Sequence, residues 1–101
     1  MPISPDRKKQ FRTIGHKLNP IVTIAGNGVS EGVLIELNRA LDDHELIKVK
    51  LALPEREDRK TVVEKLSRLP GVEIIQEIGK VVLLYKPNKK ANPKLSNLQR
   101  N

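Results

Sequence analysis

Residues 20 to 37 read Pro-Ile-Val-Thr-Ile-Ala-Gly-Asn-Gly-Val-Ser-Glu-Gly-Val-Leu-Ile-Glu-Leu. The apolar run from Ile21 to Ile24 predicts a strand. Ala25-Gly26-Asn27-Gly28 then predicts a turn with little side-chain bulk. Ser30 is placed to cap a following helix, and Glu31 falls in its first turn, where negative charge suits the helix dipole. A strand, a glycine turn and a helix N-terminus leave backbone N–H groups facing outward, so a phosphate is able to approach closely.

The second helix is expected from about Ser30 to Asp43, with Val33, Leu37, Ala40 and Leu41 repeating on one face and Leu34 widening the stripe. Upstream, Ser4-Pro5-Asp6 opens a first helix, since proline suits the first helical position. Phe11, Ile14 and Leu18 form its apolar stripe, and Arg7, Lys8 and Arg12 fall mostly opposite. Gly15 weakens the helix near its end, and Asn19-Pro20 is expected to stop it. Downstream, Glu45 to Leu53 alternates. Ile47, Val49, Leu51 and Leu53 point one way, and Lys48, Lys50 and Ala52 point the other way with Leu46. Pro54 ends that strand. Glu55, Glu57 and Asp58 precede a third helix with the stripe Val62, Val63, Leu66 and Leu69, terminated by Pro70-Gly71. Val72 to Ile78 and Lys80 to Lys86 predict two strands joined by a two-residue turn at Gly79-Lys80. Val81 to Tyr85 is unbroken apolar sequence, which places that strand centrally in the sheet.

The order αβαβαββ predicts a single α/β domain over residues 1–87, a four-stranded mixed sheet packed with three helices. The helical crossovers imply parallel pairing and the closing hairpin an antiparallel pair. Residues 88–101 lack periodicity and predict a flexible basic C-terminal tail.

The 101 residues suffice for one modest core. The net charge of +7 is unevenly placed. Residues 1–17 sum to +4 and residues 80–101 to +6, while residues 18–79 sum to −3. Basic ends around a mildly acidic middle favour a polyanionic partner; a solubilising role for the tails is the blander explanation. Cysteine is absent, which excludes disulfides and thiolate metal sites. No apolar run approaches the ~20 residues that span a bilayer, and residues 1–11 lack the apolar core of a signal peptide. A cytoplasmic protein without membrane contact is expected.

Together the motifs resemble the CRM-domain family (chloroplast RNA splicing and ribosome maturation) in its stand-alone bacterial YhbY form. The resemblance covers about residues 5 to 87. It is carried by His16-Lys17-Leu18-Asn19-Pro20, by Gly26 through Val33, by Glu45-Leu46-Ile47-Lys48-Val49-Lys50, by Ile78-Gly79-Lys80 and by Leu83-Leu84-Tyr85-Lys86. It implies a fold similar to the C-terminal domain of bacterial translation initiation factor three. It also implies an RNA-binding role associated with precursors of the large ribosomal subunit. The family's GxxG loop, likened to that of KH domains, falls on Ala25-Gly26-Asn27-Gly28. Ala25 replaces the first glycine. Alanine resists positive φ, so altered loop geometry is expected at that end, with Gly26 restoring it in part. The loop also lacks the lysines that many family members carry.

The expected RNA contacts are therefore the backbone N–H groups of Gly26, Asn27 and Gly28 and the Ser30 end of the second helix. Arg7, Lys8, Arg12 and Lys17 would extend the positive surface. Lys48 and Lys50 join them if no helix covers their face. With one phenylalanine and one tyrosine, an aromatic stacking platform is excluded, and Tyr85 is assigned to the core. A glycine turn can also serve only to pack strand and helix closely. A second functional class is a protein-interaction assembly factor docking on ribosomal proteins. Catalysis has little support: there is no cysteine nucleophile, Walker loop or spaced metal-ligand set, and His16 and His44 lie outside any motif. Asp42-Asp43-His44-Glu45 is taken as a polar helix end rather than a metal site. No cofactor or small-molecule substrate is expected, and a monomer is the default.

Overall fold

The computed structural model describes residues 4–26 and 28–87. The expected tail, 88–101, lies outside them. Seven elements follow in the predicted order: α1 (Pro5–Gly15), β1 (Pro20–Ile24), α2 (Glu31–His44), β2 (Leu46–Leu51), α3 (Arg56–Ser67), β3 (Glu73–Ile78) and β4 (Val81–Tyr85).

Local chemistry sets most boundaries. Ser4 Oγ accepts the Arg7 N–H at 3.3 Å, with Pro5 in the first turn. Helix α1 stops at Gly15, earlier than expected, and Lys17 and Leu18 continue only as turns bonded to Ile14 and Gly15. Gly15 is buried against β4, where an added Cβ would stand 2.6 Å from Leu83 Cδ2. The glycine thus lets helix and sheet approach, beyond weakening the helix. Arg59 Nη1 bonds the Leu53 and Pro54 carbonyls at 2.7 and 2.9 Å and fixes the entry to α3. Gly71 (φ +77°) and Gly79 (φ +55°) adopt left-handed conformations that glycine takes without strain.

Strand β2 is shorter than the alternating sequence suggests. At its start, Glu45 caps α2 with φ +61° and is buried. At its end, Ala52 N–H still reaches the Ile24 carbonyl, but β1 has finished. Leu53 remains buried beyond the strand.

The sheet order is β1-β2-β4-β3. The β1–β2 pair is parallel, while β2–β4 and β3–β4 are antiparallel. The α3 crossover therefore does not set β3 beside β2, as simple parallel pairing would; β4 lies between them. Composition explains the choice. Val82 to Tyr85 are buried in succession, whereas β3 carries Glu73, Gln76 and Glu77, which are tolerated at an edge.

One face of the sheet packs α2 and α3 around Val22, Ile24, Leu37, Leu41, Val49 and Leu66. The other packs α1 through Phe11, Ile14 and Leu18 against Leu46, Ile75, Leu83 and Tyr85. A register shift between Ile74 and Gln76 turns Ile75 into this second cluster.

Candidate nucleic-acid interface

The loop after β1 is organised by its own hydrogen bonds. Gly28 N–H donates to the Ala25 carbonyl at 2.8 Å, and Ser30 N–H donates to the Gly28 carbonyl at 3.1 Å. Gly28 takes φ +66°. Ala25 and Gly26 do not lie in the left-handed region, so alanine at position 25 is accommodated without backbone strain. The positive φ that glycine favours falls on Gly28 and not at that end of the loop.

These bonds revise which groups face outward. The Gly28 N–H is already used inside the loop. Ser30 Oγ accepts the Val33 N–H at 3.3 Å, and the Leu34 N–H bonds the Ser30 carbonyl at 2.9 Å. Among the described residues, no acceptor is seen for the Glu31 and Gly32 N–H groups of the helix's first turn. Gly32 was not among the expected donors; it has no side chain, and an added Cβ there would meet only Ser30 Oγ, at 4.0 Å. The Glu31 carboxylate beside it counts against an anion. Gly26 is exposed with open space around it. Asn27 lies outside the described residues.

The basic residues divide into groups. Phe11 stacks on Tyr85, with ring centroids 4.7 Å apart, and Tyr85 pairs with Leu46 at the start of β2. Arg7 lies over the Phe11 ring at 5.2 Å, so it belongs to that end of the sheet. The glycine loop lies at the opposite end of β1, a strand roughly 16 Å long. Arg7 therefore stands away from the loop, while the Gly15 end of α1 reaches toward it, against Leu83. Arg7 and Lys17 are exposed; Lys8 and Arg12 are half-buried. Lys80, in the β3–β4 turn, is exposed at the loop's end of the sheet, and its carbonyl accepts the Leu51 N–H. Its position became legible only once β4 was seen to pair with β2.

Lys48 and Lys50 lie on the face that α1 covers in part; Lys48, beside Leu83 where Gly15 packs, is half-buried, and Lys50, farther along the strand, is exposed. In register, Lys48 stands beside Pro20 and Leu83, and Lys50 beside Thr23 and Val81. Tyr85 is buried against Phe11 and takes its place in the core. Among the described residues, no group of three or more His, Asp or Glu side chains converges to hold a metal ion. No helix among them is long and apolar enough to cross a membrane.

The family model of the CRS1/YhbY (CRM) domain matches residues 3–86. The chain belongs to the CRM-domain family. A probable RNA-binding protein of Pseudomonas aeruginosa is 51% identical over 100 residues, covering 99% of this chain and 96% of the relative. An RNA-binding protein of Haemophilus influenzae is 39% identical over 93 residues, covering 92% and 94%. The solution structure of a hypothetical Staphylococcus aureus protein, described as a candidate for RNA binding, matches with a TM-score of 0.76 and 27% identity. It covers 90% of this chain and 95% of that one. The CRM domain here thus has its three helices and mixed sheet in common with a solved relative.

Proposed function

We propose that this protein binds RNA, and that its target is ribosomal RNA in precursors of the large ribosomal subunit. Membership of the CRM family and the RNA-binding names of its relatives support the first part. The observation that carries the mechanism is the loop–helix junction, where Ser30 satisfies Val33 and leaves the Gly32 N–H beside an open glycine loop. A phosphate held there accepts from the backbone, and Lys80 adds charge from the same end of the sheet. This is positioning and charge neutralisation with no chemical step. The protein acts as a monomer in the cytoplasm, without a cofactor.

Phosphate-led binding has a signature. With about four to six contacts, log affinity falls against log salt with a slope of about −0.7 per phosphate on single strands. Affinity nearly independent of salt would sink the model. Gly26→Asp is the sharper variant, because position 26 has open space and no positive φ. It places a carboxylate where phosphate should sit, and RNA affinity should fall while the melting temperature holds. Sedimentation of a lysate at low and moderate salt tests the ribosomal part. Salt-sensitive migration near the large subunit is expected; migration only at the top of the gradient would remove that assignment.

A further inference from the structure

Helix α1 ends at Gly15 and leaves part of its sheet face uncovered. A cavity of about 230 Å³ opens there, lined by Gly15, His16, Lys48, Gln76, Ile78 and Val81 among others, and forms a groove beside the end of α1. Its lining has no Asp or Glu. Ile78, exposed by 59%, lies at its outer end on the edge strand β3.

We propose that this groove takes a single-stranded RNA segment. Bases lie against Ile78 and Val81, and the backbone passes Lys48 and Lys50. The inference rests on the RNA-binding reading above and assigns the open sheet face to it as a second surface. Charge selects the occupant: Lys48 and the Gln76 amide line the groove, exposed Lys50 stands beside Val81 at its border, and no carboxylate is in the lining. Register gives the spacing. Lys48 and Lys50 are two residues apart on one strand face, about 7 Å, comparable to the separation of successive phosphates in an extended strand. Glu77 pairs with Val82 and so faces the other side of the sheet, while Glu73 pairs with Tyr85 at the end beneath α1. A duplex is too wide to bring its bases to such a groove, so single strands are favoured. The larger cavity, about 760 Å³ between α3 and the β3–β4 turn, does not compete. Glu57 and Glu77 line it beside Arg56 and Lys60, and the Arg59 guanidinium is engaged by backbone carbonyls.

The test uses the full chain with a single-stranded oligouridine of about ten nucleotides, within the site sizes of such surfaces, and an RNA duplex of equal length. Ile78→Ser should weaken oligouridine binding about tenfold, the loss expected for one aliphatic contact, and leave the salt slope unchanged. Lys50→Gln should weaken it and reduce the slope by about 0.7. Amide resonances of Lys48, Ile78 and Val81 in the unmodified protein should shift on titration, a readout independent of any variant's folding. If the unmodified chain binds neither RNA, the RNA-binding reading itself falls. If it binds RNA while both variants bind equally well and these amides stay still, this inference alone falls. If Ile78→Ser instead dissolves a dimer and spares RNA affinity, the face is a contact between copies and the proposal is overturned.

Discussion

On one side of the sheet, Val22, Ile24, Val49, Leu51, Val82 and Leu84 are all buried beneath α2 and α3. On the other, β2 and β4 present Leu46, Leu83 and Tyr85 to α1, while half-buried Lys48, exposed Lys50 and, on β3, exposed Ile78 lie toward its border. The alternation of a strand makes this division possible, since neighbouring residues of β2 serve opposite faces. The covered face provides cohesion. The partly covered face is packed by α1 and by Leu18 just after it, and beyond them Lys50 and Ile78 are exposed.

Substitutions can separate these two roles, and the largest effect belongs to the covered face. Leu41→Ala, at a fully buried position, should cost about 2–5 kcal/mol in urea unfolding. A cost below 1 kcal/mol would mean that the α2 layer packs loosely. Gly15→Val tests the border between the covered and open parts of the other face. The new side chain must displace Leu83, and about 1–3 kcal/mol should be lost; an unchanged midpoint would show that α1 can lift from the sheet at little cost. Ser30→Ala removes the α2 cap and should lower stability by about 1 kcal/mol, again by urea unfolding. It should also disturb RNA binding through the loop, and a stability loss with intact binding would detach the cap from the site. The smallest effect is expected at Lys50→Gln, within about 0.5 kcal/mol of the original stability. A larger loss in thermal melts would show that the open face contributes to the fold after all.

The sequence carried the element order, the Ser30 cap and the two-sided burial of β4, because each depends on residues close together in the chain. Helical stripes and strand alternation are local signals, and they placed Phe11, Leu37, Leu41 and Leu66 correctly inside. What it hid was relational. That β4 would separate β2 from β3 required comparing two segments far apart, and the crossover rule alone pointed to parallel neighbours. The same gap affects the candidate site. Lys48 and Lys50 were visible as a pair, but whether α1 would cover them depended on where Gly15 meets Leu83. The loop's composition was plain, yet the Gly28 N–H proved to be occupied by the Ala25 carbonyl. Hydrogen bonds within a turn are decided by backbone angles that composition only narrows.

The position of β4 has a consequence for the order in which the domain can be built during synthesis. Its residues supply Val82 and Leu84 to one core and Leu83 and Tyr85 to the other, and it is the last of the seven elements to be made. Until it is available, β2 and β3 have no strand between them and neither helical layer has a complete surface to rest on. Completion then depends on contacts between residues far apart in the chain, which slow folding. The growing chain therefore spends most of its synthesis with an unfinished interior, and the two layers close together when the final hairpin inserts.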